Sequence, residues 1–350
     1  MHRYYTKVCN FYYGNKSKFL VNKKATLPLN GNKEISFDHI EIISRNSKRK
    51  ISIKELNSLP KLLKKKISLD LKKINSKKNN FAKLNFQKIP NIMGVLNLTP
   101  DSFSDGGKFN IKKKGVKHAI QMFKAGANII DVGGESTRPG SKPISVKLER
   151  NRVDKILKLI CKKVPVSLDT RKAEIMEQGI KHGVKIINDV SGLSYDKNSI
   201  NILKKHKIPF VIQHSKGSPE SMQDKPTYKN ELLDIYDFFE EKINFLRSIG
   251  IKHNNIIIDP GIGFGKNLKH NMNLISNISI FHSLGFPILV GNSRKRFIKE
   301  LSGKNDTKKR IGGTVASSIY LMMQGVQILR IHDVNDLQQA IKVFKELLKN

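Results

Sequence analysis

Residues 92–97 read IMGVLN, and the segment that follows them, LTPDSFSDGG (98–107), holds no G-x-G-x-x-G turn. Seven further runs of the same make recur down the chain: NIIDVGG (128–134), VPVSLDT (164–170), VKIINDV (184–190), PFVIQH (209–214), NIIIDPG (255–261), FPILVGNS (286–293) and QILRIHD (327–333). Continuous Ile, Val and Leu suits strands buried on both faces, as in a parallel sheet. Between them lie stretches such as IKKKGVKHAIQMFKAGA, RKAEIMEQGIKHG and TVASSIYLMMQG, which have helical periodicity and carry glycine where a helix is capped. Eight strand–helix units in about 260 residues is the count and size of a (β/α)8 barrel. A doubly wound sheet is the competitor, but it rarely needs eight units and wants a Gly-rich dinucleotide turn after its first strand. The nearest thing to one, GIGFG (261–265), follows the sixth run. The expected fold is therefore α/β: a (β/α)8 TIM barrel over residues 91–350, with a small basic N-terminal extension over residues 1–90.

The extension differs in character. It contains KLLKKK (61–66) and KKINSKKNN (72–80), with one apolar piece, EISFDHIEII (34–43), that suggests a strand or two. LNSLPKLLKKKISLDLKKI (56–74) reads as one or two short helices, and the whole as a small appendage or a partly disordered segment without chemistry of its own. It holds 22 Lys and Arg against 5 Asp and Glu, in a chain with 65 against 29 and a net charge of +36. Nucleic-acid binding is one reading of such a charge. The basic residues are spread rather than clustered beside aromatics, and Lys, Asn and Ile are abundant together, so a compositional bias is favoured and nucleic acid is not an expected partner. No apolar run reaches 18 residues, which argues against a membrane span. The start, MHRYYTKVCNFYYG, has no apolar core of a secretory signal, and the two cysteines, Cys9 and Cys161, form no disulfide framework. A cytoplasmic protein is expected.

In a barrel of this kind the chemistry sits at the C-terminal ends of the strands. Those ends are Asn97, Asp131 with Glu135, Asp169, Asn188 with Asp189, Gln213 with His214, Asp259, Ser293 with Arg294 and Lys295, and Arg330 with His332. Nearly every one is charged or hydrogen-bonding, which a purely structural barrel does not need. Acids and amides converge from one side, while cations come from strands seven and eight, where barrels commonly hold phosphate. A polar heterocycle or polyol joined to a phosphate-like anion is the expected ligand class.

At these residues the chain resembles the dihydropteroate synthase family. The motifs that carry the resemblance are MGVLNLTPDSFSDGG (93–107), GANIIDVGGESTRPGS (126–141), VSLDT (166–170), INDVSGL (187–193), DPGIGFGKN (259–267), VGNSRK (290–295) and RIHDV (330–334). The resemblance implies joining 6-hydroxymethyl-7,8-dihydropterin pyrophosphate to p-aminobenzoate, with pyrophosphate leaving to give a pterin cation that the arylamine attacks. It implies pterin contacts from Asp169, Asn188, Asp259 and Lys295. Arg330, His332 and Asn97 would hold the pyrophosphate, with Asn97 as a ligand of Mg2+. Asp105, Arg138 and Lys295 would serve catalysis, and Phe103, Thr137, Pro139, Phe264 and Ser293 would wall the p-aminobenzoate pocket. A homodimer is implied as well. The physical reading agrees: a carboxylate such as Asp259 can accept the adjacent amino and ring N–H donors of a pterin together. Arg330 and His332 alternate with Ile331 and so point the same way from a strand. Magnesium favours oxygen ligands and leans on substrate phosphates. The loops after runs one and two, TPDSFSDGGKF and ESTRPGSK, have the composition of flexible lids.

Two positions depart from the family pattern. Ser215 stands where a Met would pack on the pterin face, and Asn292 precedes SRK where a small or apolar residue is usual. The competing readings are a pterin-binding methyltransferase domain, which would lack STRPG and SRK, and a basic nucleic-acid-binding protein on a degenerate barrel, which would have lost its polar strand ends.

Overall fold

The structure is a computed structural model; it describes residues 3–99, 110–136, 140–217 and 226–349, with backbone alone for 110–113. Eight parallel strands form one sheet: β5 (Asn91–Asn97), β6 (Ile129–Gly133), β7 (Val166–Asp169), β8 (Ile186–Asp189), β9 (Phe210–Gln213), β10 (Ile256–Asp259), β11 (Leu289–Val290) and β12 (Ile328–Ile331). Their order is β10-β9-β8-β7-β6-β5-β12-β11, so each neighbours the next in sequence except across β12–β5. A single parallel bridge, Ile258 to Ile288, joins the two end strands and nearly closes the ring. The helices α3 (Asn110–Lys124), α4 (Val146–Ile160), α5 (Ala173–Lys181), α6 (Ser199–His206), α7 (Glu231–Ser248), α8 (Leu268–Ser276), α9 (Arg296–Ser302), α10 (Ile311–Met323) and α11 (Val334–Leu347) follow the strands. This is the expected (β/α)8 barrel, and all eight apolar runs are its strands.

Strand alternation sorts the side chains. Ile92, Ile130, Leu168, Ile187, Ile212, Ile258 and Leu329 pack outward into one core with the helices. Met93, Ile129, Ile186, Val211, Ile257, Leu289 and Ile328 pack against each other inside the barrel, with Leu84 and Phe86 below them. Two residues further along β6, β8, β9, β10 and β12 the same inward face turns polar, at Asp131, Asn188, Gln213, Asp259 and Arg330; β7 adds Ser167 and Asp169, and β5 keeps Val95 before reaching Asn97. The floor of the barrel is thus apolar and its mouth is polar.

The extension is folded. β1 (Tyr5–Tyr13), β2 (Leu27–Leu29), β3 (Asn32–Ile43) and β4 (Lys48–Ser52) make a four-stranded antiparallel sheet, with α1 (Gly14–Asn22) and α2 (Lys61–Asn75). Its core joins Val8, Phe37, Ile40 and Ile51 of the sheet to Ile67, Leu71 and Ile74 of α2. The sequence suggests a strand or two because only β3 is a long aliphatic run; β1 reads YTKVCNFYY, with Val8 as its one aliphatic residue, and β4 reads KRKIS. The sheet docks on the barrel through Tyr5, whose hydroxyl donates to Asp237 at 2.8 Å, through Ser279 Oγ donating to the Val8 carbonyl at 2.8 Å, and through Tyr13 donating to the Met323 carbonyl at 2.8 Å. Leu84 and Phe86, just past α2, reach under the barrel and belong to its floor.

Candidate active site

Five strands of the barrel, β6, β8, β9, β10 and β12, deliver a polar residue by the same local device. A short β-run places the apolar residue in the floor, and the pleat then returns the chain to the inside two residues later. At the mouth this brings Asp131, Asp169 and Arg330 together. Arg330 Nε donates to Asp131 Oδ2 at 2.6 Å and Nη2 donates to Asp169 Oδ2 at 2.8 Å. Asn188 Nδ2 donates to the same Asp131 oxygen at 3.0 Å. Asn97 stands across from Asp169: a Cβ on Gly133 would lie 3.7 Å from Asn97 Oδ1 and 3.6 Å from Asp169 Oδ2, so the absent side chain lets both come near. Asp259 accepts from the Gly261 amide at 2.8 Å. Lys295 holds its ammonium 4.1 Å over the Phe264 ring, a cation–π contact.

Burial governs the charges. It pushes the Asp169 carboxyl up to about 8; Arg330 opposes that and the Asp131 carboxylate adds to it. Burial also pushes Asp259 up to about 6, against the Gly261 amide and the cations Lys295, Arg330 and Lys266. Burial and then Arg330 draw the Lys295 ammonium down to about 8, while Asp259 and Asp169 hold it up. Acids and bases in contact inside a low-dielectric mouth keep groups on both sides of neutrality, the pattern expected of a functional site. Asp131 Oδ1, Ser167 Oγ, Asn188 Oδ1 and Gln213 Nε2 are buried there without a protein hydrogen-bond partner. Such atoms are rare in stable interiors and mark a place for polar ligand atoms.

Asp169, Asn188, Asp259, Lys295, Arg330 and Asn97 are thus brought to one mouth. Phe264 lines it beside Lys295. His332 and Ser293 lie at the ends of β12 and β11 and are bonded to each other, His332 Nδ1 to Ser293 Oγ at 3.0 Å. Asp105, Phe103, Thr137, Arg138 and Pro139 lie outside the described residues. The root of the loop that carries the last three is held firmly: Glu135 accepts from the Ile144 amide at 2.9 Å, from Arg171 at 2.9 Å and from Lys172 at 3.1 Å.

The two departures have local explanations. Asn292 turns away from the mouth and donates to Ser317 Oγ at 2.7 Å and Ser318 Oγ at 2.9 Å on α10. Ser215 donates to the Gly217 carbonyl of its own loop at 3.3 Å. Arg294 is spent on Asp333, with Nε donating to Oδ2 at 2.9 Å, so that pair ties the ends of β11 and β12 together. The sequence reading gave no role to three buried groups. Asp131 was visible as a strand end but its partners were not. Gln213 is likewise visible only as a strand end, and Lys266 only as part of DPGIGFGKN.

Among the described residues no group of three or more His, Cys, Asp or Glu could hold a metal ion. Near Asn97 Oδ1 stands the Asp169 carboxyl, whose Oδ2 already accepts from Arg330; so sparse a set of oxygens suits a Mg2+ that arrives on phosphates and keeps its waters rather than a resident metal cage. No helix among the described residues is long and apolar enough to cross a membrane.

Residues 93–332 match the family model of the pterin binding enzymes. The chain is 40% identical to the dihydropteroate synthase of Escherichia coli K12 over 261 residues, 74% of this chain and 92% of that one. It is 38% identical to the dihydropteroate synthase of Synechocystis over 254 residues, 72% and 88% of the two chains. Its fold is similar to that of Yersinia pestis dihydropteroate synthase solved with a sulfonamide drug complex, with a TM-score of 0.71 at 38% identity, covering 75% of this chain and 95% of that one. A Xanthomonas albilineans dihydropteroate synthase solved with 4-aminobenzoic acid gives 0.71 at 33% identity, covering 77% and 98%. The same organism's enzyme in complex with 7,8-dihydropteroate gives 0.68 at 31%, covering 75% and 95%.

Proposed function

The chain belongs to the pterin binding enzyme family, and from that premise we propose how the mouth of its barrel performs the reaction. Its activity is that of a dihydropteroate synthase, a transferase of folate biosynthesis that condenses 6-hydroxymethyl-7,8-dihydropterin pyrophosphate with p-aminobenzoate. The observation that carries the proposal is the polar layer itself: Asp131, Asp169, Asn188 and Asp259 face inward around Arg330 and Lys295, with unpartnered acceptors and donors among them.

Asp259 as a carboxylate accepts the paired amino and ring N–H donors of the pterin. Asp169 and Asn188 meet its other edge, and Lys295 donates to its carbonyl and ring nitrogen. Arg330 keeps N–H donors beyond its two carboxylate bonds and offers them, with His332 and Asn97, to the diphosphate. A Mg2+ bound to that diphosphate would take Asn97 as its protein ligand and would neutralise charge on the leaving group. Departure of pyrophosphate leaves a pterin cation, which the carboxylates of the mouth and of Asp105 stabilise. The arylamine is already a nucleophile, so no strong base is needed. Phe264 and Ser293, with Phe103, Thr137 and Pro139, wall the p-aminobenzoate pocket, and Arg138 serves its anionic end. The proposal includes a homodimer in the cytoplasm and treats residues 1–90 and 91–350 as two units.

The test is pyrophosphate release by the purified chain given the dihydropterin diphosphate and Mg2+, with and without p-aminobenzoate. Formation of 7,8-dihydropteroate only when both substrates are present is expected. Absence of that product at any protein concentration refutes the reading.

A further inference from the structure

Lys266 is among the most deeply buried large side chains of the molecule, 2% exposed, and no carboxylate is among its three contacts. Its ammonium donates to the Phe264 carbonyl at 2.8 Å, to His214 Nδ1 at 3.0 Å and to the His214 carbonyl at 3.4 Å. Burying a cation on two neutral carbonyls and a ring nitrogen is costly, so the contacts it makes need a reason. They join two loops at the mouth, residues 214–217 after β9 and 260–267 after β10. The loops touch along their backbones. The His214 amide donates to the Asp259 carbonyl at 2.9 Å, and a Cβ on Gly261 would lie 2.0 Å from the His214 carbonyl oxygen, which with its φ of +68° leaves room for glycine alone.

We propose that Lys266 is a positioning residue for the reaction: it bolts the loop after β10 to the loop after β9, holding Phe264 beneath the Lys295 ammonium and its own amine near Asp259. The proposal rests on the reading of Phe264 as a wall of the p-aminobenzoate pocket and of Asp259 as the pterin carboxylate. Its geometry is a short lever. Lys266 grips the carbonyl of Phe264, and the ring of Phe264 carries Lys295 at 4.1 Å. Its other end is fixed by Asn271, which donates to the Lys266 carbonyl at 3.2 Å and accepts from the Gly263 amide at 2.7 Å. Tyr228 donates to the Gly265 carbonyl at 2.8 Å from the far side. Burial, with Lys266 and Lys216 nearby, keeps the His214 ring neutral, so Nδ1 is the acceptor the ammonium requires. The charged groups that act on Asp259 are Lys295 at the end of β11, Arg330 on β12 and Lys266 on its own loop, each favouring the carboxylate. Those around Lys266 are Asp259, Lys295, His214 and, on α8, His270.

Steady-state kinetics of the full chain and its Lys266→Met and Lys266→Arg variants test this. The Met variant should raise KM for p-aminobenzoate about tenfold with kcat changed less than about threefold. It should also move the acid limb of kcat/KM for the pterin substrate upward by about one pH unit, because Asp259 loses a cation. The Arg variant, which keeps the charge, should restore the acid limb. A folded Met variant with both KM values and the acid limb unchanged overturns the proposal. So does a uniform loss of kcat with no shift in the pH profile. If the Met variant does not fold, the Arg variant decides: a raised KM for p-aminobenzoate with an unmoved acid limb supports the lever, and unchanged KM values refute it. Hydrogen exchange over residues 260–267 reads the bolt without turnover. Faster exchange in either variant supports it and unchanged exchange refutes it, even if the wild-type chain made no dihydropteroate and the functional reading itself had failed.

Discussion

Arg330 Nε lies 2.6 Å from Asp131 Oδ2, and that carboxylate is fully buried at the centre of the barrel mouth. The same guanidinium also binds Asp169, so one cation separates two acids that would otherwise face each other in low dielectric. Replacing Arg330 by Met should abolish turnover and destabilise the fold by about 3 kcal/mol or more at pH 7.5. The loss should be smaller at pH 5. Burial already holds the Asp169 carboxyl above its unfolded value, and without the cation it rises further, so the folded variant takes up a proton that the unfolded chain has released; that stability is present at low pH and lost as pH rises. Calorimetric melting at the two pH values checks it, and equal destabilisation at both would remove the Arg330–carboxylate cluster from the account.

Asp259 is the carboxylate for which ionisation state matters most. Burial lifts it to about 6, so pterin binding should weaken as pH falls through about 6, when the group gains a proton and can no longer accept two donors. Asp259→Asn should lose the pterin substrate about 100-fold at pH 7.5, since an amide opposes one donor with another. It should also flatten the acid limb. Titration calorimetry with a dihydropterin across pH 5–8 separates the two effects, and an Asn variant that binds like the parent would clear Asp259 of its role.

The loop after β6 is anchored by a buried quartet. Lys172 donates to Glu135 at 3.1 Å and to Glu149 at 2.5 Å, while Arg171 holds Glu135 and rests 4.0 Å over the Tyr195 ring. Lys172→Met leaves two buried acids short of a partner and should cost about 3–5 kcal/mol. Lys172→Met with Glu149→Gln should recover a good part of that. Denaturant unfolding of the single and double variants tests the coupling, and simple additivity of the two changes would show that the pair does not interact.

Phe86 marks the opposite end of the barrel. It is fully buried, meets Phe81 edge-on at 5.2 Å between centroids, and packs under the floor with Leu84. Phe86→Ala should cost about 3–5 kcal/mol by opening a cavity, with both KM values left within about twofold because the mouth is untouched. A selective rise in one KM would place Phe86 in the working site instead of in the floor.

The strands, their parallel arrangement and the polar mouth are written locally. IMGVLN, NIIDVG and NIIID carry their inward and outward faces in a period of two, so Met93, Ile129 and Ile257 fall in the floor and Asp131 and Asp259 fall at the mouth wherever the chain folds into a closed sheet. What the sequence did not contain is which groups meet. Arg330 and Asp131 are 199 residues apart, and nothing in RIHD assigns that guanidinium to an acid rather than to an anion alone. Asn292 looked like a change in the pocket, yet the structure turns it onto α10. Lys266 looked like one more lysine in a basic chain, until burial and the approach of two loops set it against His214 and Phe264. The extension reads as an appendage because only β3 is a long apolar run; the other side of its core comes from Ile67, Leu71 and Ile74 of α2, which the pattern of the strands does not show. Periodicity reports the face a residue takes on its own element, whereas contact, desolvation and charge pairing depend on elements brought together by closure of the barrel.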